Sequence, residues 1–489
     1  MHTYSKKMHT CKKIDSLYWF CNHLAIGGYE MRQRLWVMLS TLLVFSMLAA
    51  CGNNNGAASQ SPASESSPSE KASASASNDS SAPAADPVTI KYHSWLNNKG
   101  EEDLRLIIAN FERDHPEIKV EYVPLVTNGD STDYLKKLDV MMAASEEVDI
   151  ASFPNVDFLL ERAARGVLAP LDEFYKEEGV DPAAEYYINP MINGQIYGVQ
   201  DLASLWLVAL NESVLKEAGE SVPQWGWTWD DYRDLAKRLT KGEGEQKRYG
   251  AFFHTWGEYD NLIAYTERPH PFVNADKQPI FDDPSYAQFF NLRRAMEQED
   301  KSAAPLSDTL GAKLHYRTEF VNGKAAMVPT ATFFLGQLMD RENNPHDFKT
   351  VFAPLPQSSK DAETGLSYIG GNFGAVGSSS KHKKESYQFL RYLSTQMDVI
   401  RDMPGWKKAD AKLVIDKLIG DNKDLIDVDS LVNVMYDARV KTIYDASLST
   451  PTSSQMKKVL EDGMSKFLLD NLSVEEAQQY MMDEAKKLK

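Results

Sequence analysis

The side chains best suited to recognising a ligand lie in the stretch His254-Thr255-Trp256, which follows a strand predicted at 249–253. The flat face of an indole packs against the C–H face of a sugar ring, while neighbouring polar groups bind the hydroxyls. Trp256 is therefore a candidate for a saccharide site, and packing in the core is its alternative role. His254 has no second ligand at a suitable spacing, which favours hydrogen bonding or packing over metal binding.

Motifs of catalysis are missing from the sequence. It contains no Gly-x-Ser-x-Gly elbow, no His-Glu-x-x-His pair, no phosphate-binding glycine loop and no candidate cysteine nucleophile. A glycosidase needs two carboxylates at a set separation, and the 70 Asp and Glu residues leave such a pair open. We therefore expect a binding protein without a cofactor or metal, and a glycan-active enzyme is the alternative.

The charge of the chain argues against nucleic acid as a partner. Its 70 acidic residues outnumber 53 Lys and Arg, which gives a formal net charge of −17. Phosphate backbones bind basic surfaces, so we expect no nucleic-acid contact. Of the three cysteines, Cys11 and Cys21 lie in the first 30 residues and only Cys51 follows. One thiol can build neither a disulfide framework nor a cysteine metal site.

The sequence around Cys51 has the features of an export signal. Arg32 and Arg34 precede a predominantly apolar run, Leu35–Leu48, which is shorter than the ~20 residues that a membrane-spanning helix needs. Ala49-Ala50-Cys51 then resembles a bacterial lipobox, in which the thiol is acylated before cleavage. An ordinary export signal with a chance cysteine is the alternative.

This interpretation divides the chain into consecutive parts. Residues 1–30 are expected to be a non-native extension, and residues 31–50 a lipoprotein signal peptide that starts at its own Met. Residues 51–87 are rich in Ser and Ala and cannot bury enough apolar surface to fold. They are therefore expected to form a disordered linker. The protein is therefore expected on the extracytoplasmic face of the cell membrane, anchored through palmitate or a related lipid on Cys51.

The first part of the remaining chain alternates between the periodicities of strands and helices. Val88, Ile90 and Tyr92 alternate with polar residues, and helical spacing follows from Leu104 to Phe111. The order strand, helix is repeated twice more before Gly166, which predicts a mainly parallel sheet covered on both faces. Ligands bind beyond the carboxyl ends of strands in such sheets.

Three tryptophans cluster at a predicted helix start. Thr228 and Asp231 have the spacing of a capping box that opens a helix at 229–239. Trp225, Trp227 and Trp229 could form a platform for a sugar or pack at this helix entry. The cap explains the spacing, so we favour packing.

A series of short motifs, in order along the chain, resembles the extracellular solute-binding proteins of family 1, the sugar-binding lipoproteins of ABC importers. The motifs are Phe111-Glu112, Pro116–Val120, Val148–Ile150, Gly166–Asp172, Tyr197–Val199, Leu210-Asn211, Trp227–Asp230, Phe320–Met327, Pro354–Pro356 and Gly370–Asn372.

The resemblance implies an α/β fold of two lobes, each a mainly parallel sheet flanked by helices, with a ligand cleft between them. Residues 88–201 plus 370–440 are expected to form lobe 1, and residues 202–369 plus 441–489 lobe 2. A monomer would bind a mono- or oligosaccharide by hinge closure and deliver it to ABC-transporter permease subunits. A sensor lipoprotein for a membrane kinase would share this fold and site, so that alternative stays open.

The candidate ligand-binding residues combine aromatic faces with hydrogen-bonding groups. Lobe 2 is expected to supply Trp256 and also Phe333, because Phe333 or Phe334 stands where the resembled family more usually has tryptophan. Asp201, near the first crossing between lobes, is a candidate because a carboxylate accepts two hydroxyls at once. The candidates are Trp95, Asn155, Asp201, Trp256, Phe333 and Asn372.

The lipid anchor is tested by replacing its thiol. Cys51→Ser removes the acylated atom, so this variant should leave the membrane fraction without a change in ligand affinity. Ser59→Ala is the control and should stay in the membrane fraction, because it lies in the predicted linker and leaves the thiol of Cys51 in place. Immunoblots of separated membrane and soluble fractions measure both, and retention of the Cys51→Ser protein in membranes would contradict the prediction.

Overall fold

The computed structural model describes residues 86–488. The predicted signal peptide, the lipidation site Cys51 and nearly all of the predicted linker lie outside the described residues. No helix within residues 86–488 is both long and apolar enough to span a bilayer.

Ten strands occur in the described part of the chain. They are β1 (Val88–Ser94), β2 (Ile118–Pro124), β3 (Ile150–Phe153), β4 (Met191–Ile192), β5 (Gln195–Ile196), β6 (Val199–Asn211), β7 (Tyr249–Ala251), β8 (Ala325–Ala331), β9 (Thr350–Ala353) and β10 (Ile369–Val376).

Helices cover the faces of the sheet. They are α1 (Asn98–Asp114), α2 (Ser131–Ala143), α3 (Val156–Ala164), α4 (Asp172–Glu178), α5 (Pro182–Glu185), α6 (Glu212–Ala218), α7 (Trp229–Leu239), α8 (Leu262–Glu267), α9 (Pro284–Arg294), α10 (Leu306–Gly311), α11 (Tyr316–Val321), α12 (Phe334–Met339), α13 (Lys383–Thr395), α14 (Ala411–Ile419), α15 (Val428–Tyr436), α16 (Ser453–Leu469) and α17 (Val474–Ala485).

The first part of the fold follows the periodicity of its sequence. Strand β1 pairs in parallel with β2 and β3, as the repeated strand–helix order predicts. Helix α1 buries Leu104, Ile107, Ile108 and Phe111, which lie on one face at a spacing of three or four residues. These side chains form a core with the inner face of β1 and with Phe389 of α13. The predicted strand–helix order of this region is confirmed.

Strand β6 joins the two halves of a mixed sheet. Its residues 199–205 pair antiparallel with β10, whereas residues 206–210 pair antiparallel with β8 along the opposite edge. The end of β6 also pairs antiparallel with β9, and β7 is parallel to β8. The α/β fold with flanking helices is confirmed. The sheet is mixed rather than mainly parallel, because β6 is antiparallel to each of its partners β8, β9 and β10.

The helix entry at Thr228 confirms the structural interpretation of the neighbouring tryptophans. Thr228 and Asp231 form a complete capping box at the start of α7. Trp227 and Trp229 are buried in the surrounding core, and the ring nitrogen of Trp227 donates to Pro354 O at 2.8 Å. The structure therefore gives two of the three tryptophans a packing role.

Several backbone segments run side by side where the halves meet. Trp206 N donates to Tyr368 O at 2.9 Å, and Ala203 N donates to Met403 O at 2.8 Å. Ser367 N donates to Lys441 O at 2.9 Å. The chain thus passes through this region more than once, as expected of lobes joined by crossing segments.

The boundaries of the two lobes stay a prediction. The segment 411–436, predicted from the sequence to belong to lobe 1, is hydrogen-bonded to β9 beside the second half of β6. Thr350 N donates to Leu425 O at 2.7 Å, and Phe352 N donates to Ser430 Oγ at 3.1 Å. We therefore propose that this segment belongs with lobe 2.

A glycine in β10 offers a test of the crossing segments. Gly371 has φ of +146°, and a Cβ there would lie 1.9 Å from Leu202 O of β6. Gly371→Ala should lower the free energy of unfolding by on the order of 1–3 kcal/mol, because alanine cannot adopt this conformation without strain.

The midpoint of urea unfolding, followed by circular dichroism, measures the effect. Gly311→Ala is the matched control, since a Cβ at this helical position would meet no heavy atom within 4 Å. Equal midpoints for the two variants would contradict the assigned backbone conformation.

Candidate functional site

Trp256 lies at the centre of a group of aromatic side chains that follow strand β7. Its ring centroid is 6.1 Å from that of Phe333, 5.6 Å from Tyr316 and 4.7 Å from His254. Trp256 remains 39% exposed, whereas Tyr316 and His254 are buried. An exposed indole supported from behind by buried rings presents its face to a ligand instead of filling the core.

A second row of aromatic rings continues from Phe333 to the crossing segments. Trp206 of β6 lies 6.4 Å from Phe333 and 6.1 Å from Tyr368, measured between ring centroids. Tyr368 is in turn 4.8 Å from Tyr265 and 6.1 Å from Tyr444. We call these residues together with Trp256 the aromatic cluster. It extends from the loop after β7 to the place where β6 and β10 meet.

Two carboxylates lie beside the aromatic cluster. Asp157, in the first turn of α3, accepts a hydrogen bond from Ser449 Oγ at 3.1 Å. Ser449 Oγ also lies 3.3 Å from the hydroxyl of Tyr444. Glu258 follows Trp256 by two residues and forms an ion pair with Lys457.

The two carboxylates raise the pKa values of neighbouring tyrosines in the aromatic cluster. Burial and then the negative charges of Glu258 and Asp157 raise the pKa of Tyr368 well above its ordinary value. The same two charges act on the buried Tyr265. Burial also raises the pKa of Asp157 to about 6, although the ammonium of Lys457 acts in the opposite direction. The carboxylates and the tyrosines therefore share one partly desolvated environment.

Helices α3 and α16 approach each other at this site. Ser454 Oγ, in the first turn of α16, donates to Glu161 Oε2 of α3 at 2.8 Å. Together with the hydrogen bond between Ser449 and Asp157, this contact links α3 to the C-terminal part of the chain. Acidic side chains beside the start of a helix are stabilised by its dipole.

The six predicted site residues have different surroundings. Trp256 and Phe333 come together in the aromatic cluster. Trp95 lies after β1, with its ring 5.4 Å from that of Tyr134 and half-buried. Asn372 is half-buried on β10, where the register with β6 shifts. That these residues contact a ligand stays a prediction.

Asn155 and Asp201 each already have a structural partner. Asn155 caps α3, with its Oδ1 accepting from Phe158 N at 3.0 Å. Asp201 Oδ2 forms a buried ion pair with Arg401, 2.6 Å from its guanidinium nitrogen. The carboxylate predicted to bind sugar hydroxyls is thus ion-paired with an arginine between crossing segments. That either residue also contacts a ligand stays a prediction.

The sequence-based candidates did not include Asp157, Glu258 or the tyrosines of the aromatic cluster. Asp157 could have been noticed, because acidic residues are frequent in the first turn of a helix and the Asn155 cap marks that turn. Its contact with Ser449 spans 292 residues of sequence, and no local pattern indicates it.

The histidines of the site are neutral at pH 7. Burial lowers the pKa of His254 to about 3 and that of His315 to about 4. Burial likewise lowers the pKa of His270, close to Ser449, to about 3. These imidazoles can exchange hydrogen bonds but add no positive charge.

Comparison with known proteins agrees with this architecture. The multiple sugar-binding protein of Streptococcus mutans is 24% identical over 336 residues, which cover 63% of this chain and 72% of that protein. The sn-glycerol-3-phosphate-binding protein UgpB of Escherichia coli K12 is 24% identical over 211 residues, 41% of this chain and 46% of UgpB. The chain therefore matches about half the length of UgpB.

Solved structures share the fold. A sugar transporter protein from Rhizobium etli in an open conformation superposes with a TM-score of 0.66 at 21% identity, covering 82% of this chain and 100% of that one. A substrate-binding protein from Listeria monocytogenes in complex with cycloalternan gives a TM-score of 0.67 at 18% identity, covering 82% and 99%. Both support a fold of two lobes.

The family itself is shown by the sequence. Residues 96–400 match the family described as bacterial extracellular solute-binding protein, and this range is more than half of the chain. The protein therefore belongs to the bacterial extracellular solute-binding proteins.

Proposed function

We propose that this solute-binding protein binds a carbohydrate between its two lobes and presents the closed form to the permease of an ABC importer. The observation that carries the proposal is Trp256, a 39% exposed indole backed by buried aromatic rings and followed by Glu258. Such an aromatic surface stacks on a sugar ring, while neighbouring carboxylates accept hydrogen bonds from the hydroxyl groups of the sugar. The relative from Streptococcus mutans is named as a sugar-binding protein, which supports the same ligand class.

The proposed roles follow from position. Trp256 and Phe333 cover one face of the sugar. Asp157, on the side of α3, accepts hydrogen bonds from its hydroxyl groups. Asn372, on β10 next to the crossing, supplies an amide that can both donate and accept. Trp95 lies at the carboxyl end of β1 and contributes to the rim of the site.

Closure of the lobes would follow from the placement of these groups on different parts of the fold. A ligand that contacts both α3 and the aromatic cluster makes its full set of contacts only in the closed state, so it shifts the population toward that state. The crossing segments beside Trp206 and Tyr368 are the proposed hinge.

The cellular context is also proposed. A monomer anchored by a lipid on Cys51 outside the cytoplasmic membrane would capture the sugar close to its permease. A sensor that presents the ligand to a membrane kinase would have the same site, and transport assays separate the two.

A glycan-active enzyme is the second alternative. Glu258 is ion-paired with Lys457, and Asp157 accepts a hydrogen bond from Ser449. The two carboxylates therefore do not form the free acid and base that a glycosidase needs. Incubation with labelled oligosaccharides tests this directly. Retention of one equivalent without products supports binding, and released products would support an enzyme. A thermal-shift screen of saccharides identifies the ligand, because binding to the folded form raises its melting temperature.

The stacking role of Trp256 is tested by its removal. Trp256→Ala should weaken binding of the identified sugar by on the order of 1–3 kcal/mol, roughly 5- to 150-fold, mainly through lost apolar contact. Titration calorimetry measures the change, and circular dichroism should show intact secondary structure.

A second tryptophan provides the control for that experiment. Trp225 is half-buried and contacts Asn433 and Arg439, outside the aromatic cluster. Trp225→Ala should bind the sugar as the wild type does. Unchanged affinity of Trp256→Ala would mean that Trp256 is a packing residue and that the assigned face is wrong.

The raised pKa of Asp157 predicts a pH-dependent stability. Because this pKa rises to about 6, the folded state favours the protonated carboxyl. The stability from this group is complete below about pH 4, its unfolded pKa, and is lost as the pH rises through 6. Asp157→Asn stays neutral at every pH, so its melting temperature relative to wild type should rise between pH 4 and 7.

The exposed carboxylate Asp421 provides the comparison. Asp421→Asn should keep a constant difference in melting temperature from wild type over this range. A pH-independent difference for Asp157→Asn would show that Asp157 is not buried beside the tyrosines.

A further inference from the structure

Four acidic side chains lie next to the aromatic cluster. Asp157 and Glu161 come from α3, Glu258 follows Trp256, and Glu461 lies on α16 against the backbone of Gly257. Three of them form ion pairs within 4.0 Å, Glu161 with Arg162 and Arg165, Glu258 with Lys457, and Glu461 with Lys458. Burial raises the pKa of Glu461, opposed by Lys457, which indicates that it too is partly desolvated.

The positive charge of Lys457 is already balanced. Its ammonium is ion-paired with Glu258, and both side chains are largely buried. Its chain lies against Gly257, so it cannot swing toward a ligand without moving the loop that carries Trp256. Lys457 therefore neutralises a carboxylate of the site and is not free to bind an anion.

Asp157 lacks such a partner. Within residues 86–488 its hydrogen bond comes from the neutral hydroxyl of Ser449, and no basic side chain lies within 4.0 Å of its carboxylate. The histidines of the site are neutral, and Arg401 is paired with Asp201. Arg162 and Arg165, at the end of α3, pair with Asp139 and Glu161. Asp157 thus adds a negative charge without an ion-pair partner to a partly desolvated environment, where electrostatic interactions are stronger than in water.

We infer that this cleft selects its saccharide by charge, accepting neutral and amine-bearing sugars and rejecting phosphorylated or carboxylated ones. The inference rests on the proposed carbohydrate function and narrows it. An ammonium on the sugar would pair with Asp157, and the neighbouring aromatic faces would stabilise the cation further. A phosphate or carboxylate would meet the charge of Asp157, and the cation that acts on this charge, Lys457, is already paired with Glu258. The resulting repulsion is the element that specificity requires.

This property distinguishes between the two curated relatives. UgpB is named for binding sn-glycerol 3-phosphate, which is an anion, whereas the Streptococcus mutans protein is named for binding sugars. The charges around Asp157 favour an uncharged sugar, the kind of ligand that fits the name of the Streptococcus mutans protein, over an anion such as sn-glycerol 3-phosphate.

Matched probes test the inference on the whole protein. Glucose, galactose and mannose are each compared with their 2-amino, uronic acid and 6-phosphate derivatives by thermal shift and calorimetry, and sn-glycerol 3-phosphate is included. Within each series that binds, the neutral or amino sugar should bind at least about tenfold more tightly than either anion. An anion that binds more tightly than its neutral parent, or binding of sn-glycerol 3-phosphate alone, would overturn the inference.

The same set separates this inference from the proposed function. Binding of no saccharide, including a wider set of neutral oligosaccharides, would overturn both, whereas preference for an anionic sugar would overturn only the selection by charge. In the series that binds, Asp157→Asn should abolish the advantage of the amino sugar over its neutral parent. Asp421→Asn should retain it, and an unchanged advantage in Asp157→Asn would contradict the role of Asp157.

Discussion

The structure depends on the continuous hydrogen bonding of strand β6. A long strand must satisfy its backbone groups along both edges, and β6 does so with different partners in its two halves. Its first half pairs with β10 and its second half with β8 and β9. The strand is buried along nearly its whole length. One segment therefore belongs to both parts of the sheet, and the aromatic cluster is assembled around the point where its partners change.

Side chains around this crossing hold the strands in place and form the proposed ligand site. Trp206 lies on β6, Tyr368 directly precedes β10, and Phe333 follows β8, so their rings meet because their strands pair. The buried ion pair between Asp201 and Arg401 ties β6 to the segment that returns from α13. Buried ion pairs contribute little net stability but strongly disfavour arrangements that separate them. We infer that this pair sets the register of the crossing segments.

Local patterns in the sequence predicted a large part of this fold. The buried face of α1 and the capping box of α7 follow from spacings of three and four residues, and both were predicted. The surroundings of the candidate site were predicted less completely. Trp256 and Phe333 were identified as aromatic candidates, but the partners of Asp157 and Asp201 lie 292 and 200 residues away in sequence. Such contacts depend on how the crossing segments fold back, which no local periodicity encodes.

A saccharide that binds between the lobes, as we propose, should favour their closure. Small-angle X-ray scattering of the protein, with and without a saturating saccharide identified by thermal shift, tests it most directly. The saturated protein should have a smaller radius of gyration, because contacts to both α3 and the aromatic cluster require the lobes to approach. An unchanged radius of gyration in the saturated protein would contradict closure by the ligand.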